Sequence, residues 1–131
     1  MNGLNAADYL WIMQRQAVLE LAEKGSCVIV GRCADYILRE NPDCLHVFIH
    51  ADTKFRAERI VRLYGESEKS PELRLKDKDA RRSANYKHFT GREWGQCRNY
   101  HLSLDSGVIG ADNCVDLIVR LAAGKMLLTE E

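Results

Sequence analysis

No long apolar run, no paired-cysteine motif and no excess of either charge occurs in this 131-residue chain, and each absence removes a class of function. The apolar runs fall far short of the ~20 residues a helix needs to cross a bilayer. The amino terminus lacks a basic-then-apolar signal segment. No membrane partner is therefore expected, and the cytoplasm is the expected compartment. The five cysteines (Cys27, Cys33, Cys44, Cys97, Cys114) are odd in number, widely spaced and without a C-x-x-C pair, which fits a reducing environment. Cys97 and His101 lie four apart, as do His46 and His50, but neither pair belongs to a ligand pattern, so no metal site is expected. Nineteen basic residues balance nineteen acidic ones, which gives no argument for a nucleic-acid partner. With only two prolines and 46% hydrophobic residues, disordered and fibrous classes are excluded, and residues 1–131 read as a single domain around one core.

What is present alternates. Leu10, Met13, Ala17 and Leu21 recur at helical spacing, which predicts an amphipathic helix over residues 5–24 with those four facing inward. Asn5 is placed to cap its start, Asp8 lies in its first turn and Gly25 ends it. Residues 26–30 form a continuous β-branched run, the pattern of a strand covered on both faces, ending at Gly31-Arg32. A short helix over 34–40, a turn at 41–43, a strand over 45–50 and a helix capped by Asp52 or Thr53 follow, the last with Phe55, Ala57, Ile60 and Tyr64 inward. Ser70-Pro71 opens a third long helix to about residue 86, and residues 88–99 read as a loop. A strand over 100–105 and a helix over 112–123, with Cys114, Val115, Ile118, Val119 and Ala122 available to pack, complete the chain. The fold class expected is α/β, a parallel sheet with helices on both faces and a helical lid at about 70–98.

Three places carry the residue types for anion chemistry. At Gly31-Arg32 a strand opens through glycine into a helix, and in open parallel sheets ligands bind beyond the carboxyl ends of strands. Gly31 allows close backbone approach and Arg32 is able to fork onto a phosphate, against the plain reading of a tight turn with a solvated arginine. The window 73–98 holds Arg74, Lys76, Lys78, Arg81, Arg82, Lys87, Arg92 and Arg98 against only Asp77, Asp79 and Glu93. Such a run either concentrates anions or is a solvated helix face laced with ion pairs. Arg56, Arg59 and Arg62 form a third cluster, of which Arg56 and Arg59 are directed at the sheet's carboxyl edge while Arg62 has Glu58 four residues away as a surface partner. Trp94 either stacks on a base or sugar or pins its loop to the core.

Taken in order, the Gly-Ser-Cys-Val-Ile-Val-Gly-Arg-Cys-Ala-Asp-Tyr-Ile-Leu, His-Val-Phe-Ile-His-Ala, Phe-Arg-Ala-Glu-Arg, Asp-Ala-Arg-Arg and Leu-Asp-Ser-Gly segments resemble the cytidylate-kinase-like family of P-loop nucleoside monophosphate kinases, from about Asp8 to Leu121. The resemblance implies that Gly31 and Arg32 contact a nucleoside monophosphate. It also implies that Asp79 and Arg82, on the lid helix, bind its sugar and phosphate, and that Arg81 is a lid arginine reaching the donor phosphates. Arg81 and Arg82 are the implied catalytic residues, with ATP and magnesium as cofactors of the complete enzyme. Two departures stand out. Cys33 occupies the position of the family's sugar-holding aspartate, for which Asp35 is the nearby substitute, so the resemblance leaves open an acceptor other than cytidylate. The family's opening strand, G-x-x-x-x-G-K-[ST]-like loop and helix have no counterpart, so no cofactor binding and no phosphate transfer are expected of this chain alone. That strand lies centrally in the family, between the segments matched here by residues 27–30 and 47–49. These segments then pair with each other, or a second chain completes the sheet through the unpaired edge, or the sequence is part of a longer enzyme, the last being favoured. A non-catalytic binder of a nucleotide or phosphorylated metabolite is the alternative function.

Overall fold

A computed structural model of the chain describes residues 3–130, with side chains through Gly124. Helix α1 (Ala6–Lys24) starts with a capping box: the Asn5 carboxamide accepts from the Asp8 amide at 2.9 Å and the Asp8 carboxylate accepts from the Asn5 amide at 3.3 Å. The face it buries is not the one expected. Trp11, Gln14, Val18 and Ala22 turn inward, whereas Leu10 is 65% and Met13 69% exposed. Both stripes are largely apolar at helical spacing, and what decides between them is the neighbour. Helix α2 (Ala34–Ile37) presents Ala34, Ile37 and Leu38, which close around Val18 with Trp11, Leu19, Ala22, Ile29 and Cys44 at the edge.

Residues 26–30 are not a strand. They carry no regular secondary structure and make no backbone hydrogen bond among the described residues, and Val28 and Val30 are 91% and 85% exposed. A strand exists only through its ladder, and here no neighbour supplies one. The sheet of the described residues therefore has two strands, β1 (Val47–His50) and β2 (Leu102–Asp105), paired parallel with Val47 opposite Leu102 and His50 opposite Asp105. Of the alternatives considered for the open edge, pairing of 26–30 with β1 is ruled out. Ahead of the ladder, the His46 amide donates to His101 Nδ1 at 2.9 Å and the two rings stack at 4.9 Å, so these histidines join the strand entrances. Among the described residues no cluster of His, Cys, Asp or Glu could hold a metal ion.

The crossover between the strands carries helices α3 (Thr53–Tyr64) and α4 (Pro71–Thr90), packed on each other. Asp52 caps α3 by accepting from the Phe55 amide at 2.8 Å. Ala57 is its buried residue, while Tyr64 is 73% exposed rather than inward. Helix α4 begins at a Ser70 cap with Pro71 in its first turn and continues to Thr90, four residues beyond the expected end, before Gly91 at φ 74° stops it. A 3₁₀ turn (Cys97–Asn99) precedes β2, and α5 (Ser106–Ile109) and α6 (Ala111–Glu130) follow it. On α6, Cys114 is buried and Ile118 half-buried, but Val115 and Val119 are each 59% exposed, against expectation. Trp94 meets Phe48 edge-on at 5.3 Å and so pins its loop to β1. The chain exposes 9962 Å², against about 7,000 Å² for a compact monomer of this mass. Much of its apolar surface faces outward.

Candidate functional site

The chemistry gathers along one stripe of α4. Leu75, Asp79, Arg82 and Tyr86 follow one another in steps of four, three and four, which keeps them on one side of a helix. Leu75 and Tyr86 are buried at 6% and 4% exposure, so the ends of this stripe face the body, while of its two charged members Asp79 is half-buried and Arg82 exposed. At Asp79 the stripe meets α3. The Arg56 guanidinium forks onto both carboxylate oxygens, at 2.6 and 2.9 Å, and Arg82 adds a third contact at 3.0 Å. The hydrogen bonds from Arg56 outweigh partial burial and, with Arg82, hold the Asp79 carboxyl below its ordinary value; the same bond raises Arg56. Farther toward the helix start, Arg74 donates to the Gly65 carbonyl at 2.9 Å.

Two turns along from Asp79, about 10 Å, the stripe meets α2. The Tyr86 hydroxyl donates to Asp35 at 2.6 Å. Partial burial and this bond push the phenol well above its ordinary 10.0. Arg39 and Arg92 both approach the Tyr36 ring, at 3.9 and 5.1 Å from its centroid. Tyr100, whose hydroxyl accepts from the Gly95 amide at 3.4 Å, is likewise raised by burial. At the far end Trp11 stacks on Phe89 at 4.7 Å, joining α4 to α1.

The Gly31–Ala34 turn feeds this second station. Gly31, Arg32 and Cys33 have φ of 67°, 60° and 54°, and the Ala34 amide closes the turn on the Gly31 carbonyl at 3.1 Å. The left-handed region costs a non-glycine residue on the order of 1–3 kcal/mol, so two in succession require support. Cys33 supplies some by being buried, and burial pushes its thiol up, with Asp35 adding to it. Gln14 supplies more, its carboxamide donating to the Arg32 carbonyl at 3.1 Å. The Arg32 side chain itself is exposed and enters no ion pair or hydrogen bond among the described residues.

A cleft of about 530 Å³ opens at the carboxyl end of β1. Arg56, Arg59, Arg74, Lys78 and Arg82 line it with His50, and among the described residues no carboxylate does. A larger hollow, about 760 Å³, runs along one face of α3 to the start of α4, but its charged residues Lys54, Arg62, Glu58 and Glu72 cancel, so it selects no ligand charge. The cleft is the chemically distinctive one.

Of the residues singled out from sequence, Asp79 and Arg82 are brought together, and Asp35 is joined to the same helix face through Tyr86. Arg32, three residues before Asp35, touches neither Asp79 nor Arg82. Arg81 sits off the stripe, exposed, near enough to Asp77 to lower that carboxyl, though Lys69 does most of this through a 2.7 Å bond. Arg56 was legible as a rim arginine but not as Asp79's main partner, which lies 23 residues away and is found only by helix packing. Tyr86 was missed; its seven-residue offset from Asp79 is the signal that could have found it.

A parallel strand pair, a helical crossover and a guanidinium-rich rim at the strand ends make a mixed α/β domain, compatible with a kinase-like fold. The chain belongs to the cytidylate kinase-like family, whose model matches residues 3–108. A crystal structure described as an uncharacterized protein from Eubacterium ventriosum is similar, with a TM-score of 0.83 and 29% identity over 90% of this chain and 74% of that one. No curated protein matches.

Proposed function

We propose that the chain is the acceptor-binding and lid portion of a nucleoside monophosphate kinase that moves the γ-phosphate of ATP to a nucleoside monophosphate. The observation that carries this reading is the rim cleft, which five basic side chains line with no carboxylate among the described residues, in a chain of zero net charge. Phosphoryl transfer needs positioning and neutralisation of charge spread over the transferring oxygens, and arginines supply both. Arg32, behind the turn at Gly31, and Asp35, with one carboxylate oxygen held by Tyr86, are assigned to the acceptor. Arg82, oriented by Asp79, is assigned to the phosphates between acceptor and donor, and Arg81 reaches them from the outer face once α4 tilts. Magnesium and ATP, when bound in the complete enzyme, supply the phosphoryl group and its counter-charge.

The test is titration of the chain with a panel of nucleoside monophosphates and inorganic phosphate by isothermal calorimetry. One monophosphate should bind at least tenfold more tightly than inorganic phosphate, and Arg32→Ala and Arg82→Ala should each weaken it. Equal, weak binding of every anion, unaffected by either substitution, would remove the assignment.

A further inference from the structure

Gln14 is the one polar residue in the inward stripe Trp11, Gln14, Val18 and Ala22 of α1. Its carboxamide, half-buried at the edge of that core, donates to a backbone carbonyl 18 residues away. That carbonyl belongs to Arg32, first of two successive non-glycine residues in the left-handed region. The peptide at Arg32 would otherwise relax by rotating toward the right-handed wells, and rotation would swing both its carbonyl and its side chain. Trp11 and Val18, on either side of Gln14, pack on α2, which the turn begins, so the donor is held by the same core that fixes the turn's far end.

We infer that Gln14 is a positioning residue for the anion site: it holds the Arg32 carbonyl, keeps the Arg32–Cys33 backbone left-handed, and thereby aims the Arg32 guanidinium. This inference rests on the acceptor-site assignment of Arg32 but adds a residue from a helix that carries no part of that assignment. Gln14 touches no ligand. Its effect passes through a backbone conformation, which makes it separable from a general stabilising role.

Two variants test it. Gln14→Leu removes the donor, and Gln14→Glu keeps the shape while offering only acceptor oxygens when ionised. Cytidine 5′-monophosphate affinity is measured by calorimetry for each, with and without Arg32→Ala. The amide–Hα coupling and Cα shift of Arg32 and Cys33 are read by NMR as the signature of left-handed backbone. Loss of one hydrogen bond predicts affinity weaker by about three- to tenfold in both variants, loss of the left-handed signature, and no further weakening when residue 32 is already alanine. Where Arg32→Ala lowers affinity, unchanged binding in the Gln14 variants, or an equal loss with and without Arg32, overturns the inference. Where Arg32→Ala changes nothing, the acceptor-site reading is what has failed. The positioning claim is then decided by NMR alone: a signature lost in both variants supports it, and a retained signature overturns it.

Discussion

Removing the Asp79 carboxylate should destabilise the chain more than removing any of its cationic partners. Arg56 and Asp79 are joined by two hydrogen bonds, with side chains 29% and 27% exposed, and Arg82 adds a third. At about 4 Å and an effective dielectric near 20, an ion pair gains roughly 4 kcal/mol before desolvation. Partial burial offsets much of that, and charged hydrogen bonds measured by deletion leave a net ~1.5–3 kcal/mol. Asp79→Ala also strands two guanidiniums beside each other, so its cost belongs at the upper end, about 2–3 kcal/mol. Arg56→Ala, which leaves Arg82 to satisfy Asp79, should cost about 1–2 kcal/mol, and the pair should show a coupling energy of at least about 1 kcal/mol. Urea unfolding followed by far-ultraviolet circular dichroism, over the four corners of the cycle, measures all three quantities. A cost for Asp79→Ala below about 0.5 kcal/mol, or a coupling energy of zero, would falsify the argument and leave the α3–α4 contact to Ala57 and Leu75 packing alone.

Because Asp79 is held below its ordinary 3.8, its contribution is complete above about pH 4 and is lost as pH falls through the lower folded value. The melting temperature of Asp79→Asn should therefore fall less than that of the native chain on acidification from pH 6 to pH 2.5. Ile37→Ala should cost about 2–4 kcal/mol while Met13→Ala stays within about 0.5 kcal/mol, since Ile37 is 8% and Met13 69% exposed; the reverse order in urea midpoints would place the wrong face of α1 inward. Sedimentation velocity should show self-association rising with concentration, because a β1 edge left bare by the described residues and the exposed Val28 and Val30 invite strand addition. The pair Val28→Lys and Val30→Lys should suppress it, and a sharp monomer in both proteins would dismiss that edge as a contact.

How much of this was legible beforehand varies with the range of the interaction. Caps and stops are local, so Asn5, Asp52, Ser70 and Gly25 were readable in place. The β-branched run at 26–30 has strand composition, but pairing belongs to a neighbour, and no property of those five residues shows whether one is present. Helix α1 carries two largely apolar stripes, and choosing between them needs the position of α2. The same limit applied at the site. Asp79 and Arg82, three apart on one helix, came from the family resemblance and are found in contact. Arg56 and Gln14 reach their partners across 23 and 18 residues, distances at which spacing carries no information. The left-handed turn at Arg32 was also invisible, since arginine and cysteine have no preference for that region.

Helix α4 is a single rod tethered at three levels: to α3 by the carboxylate fork, to α2 by the phenol, and to α1 by stacked rings. A rod cannot bend in its middle cheaply, so its ends are geared together. An anion that drew Arg82 toward the strand ends would pry at the Tyr86 tether and, through it, at the turn behind Arg32. Occupancy at one station would then be felt at the other through the two turns of backbone between Asp79 and Tyr86 and the phenol that ends them.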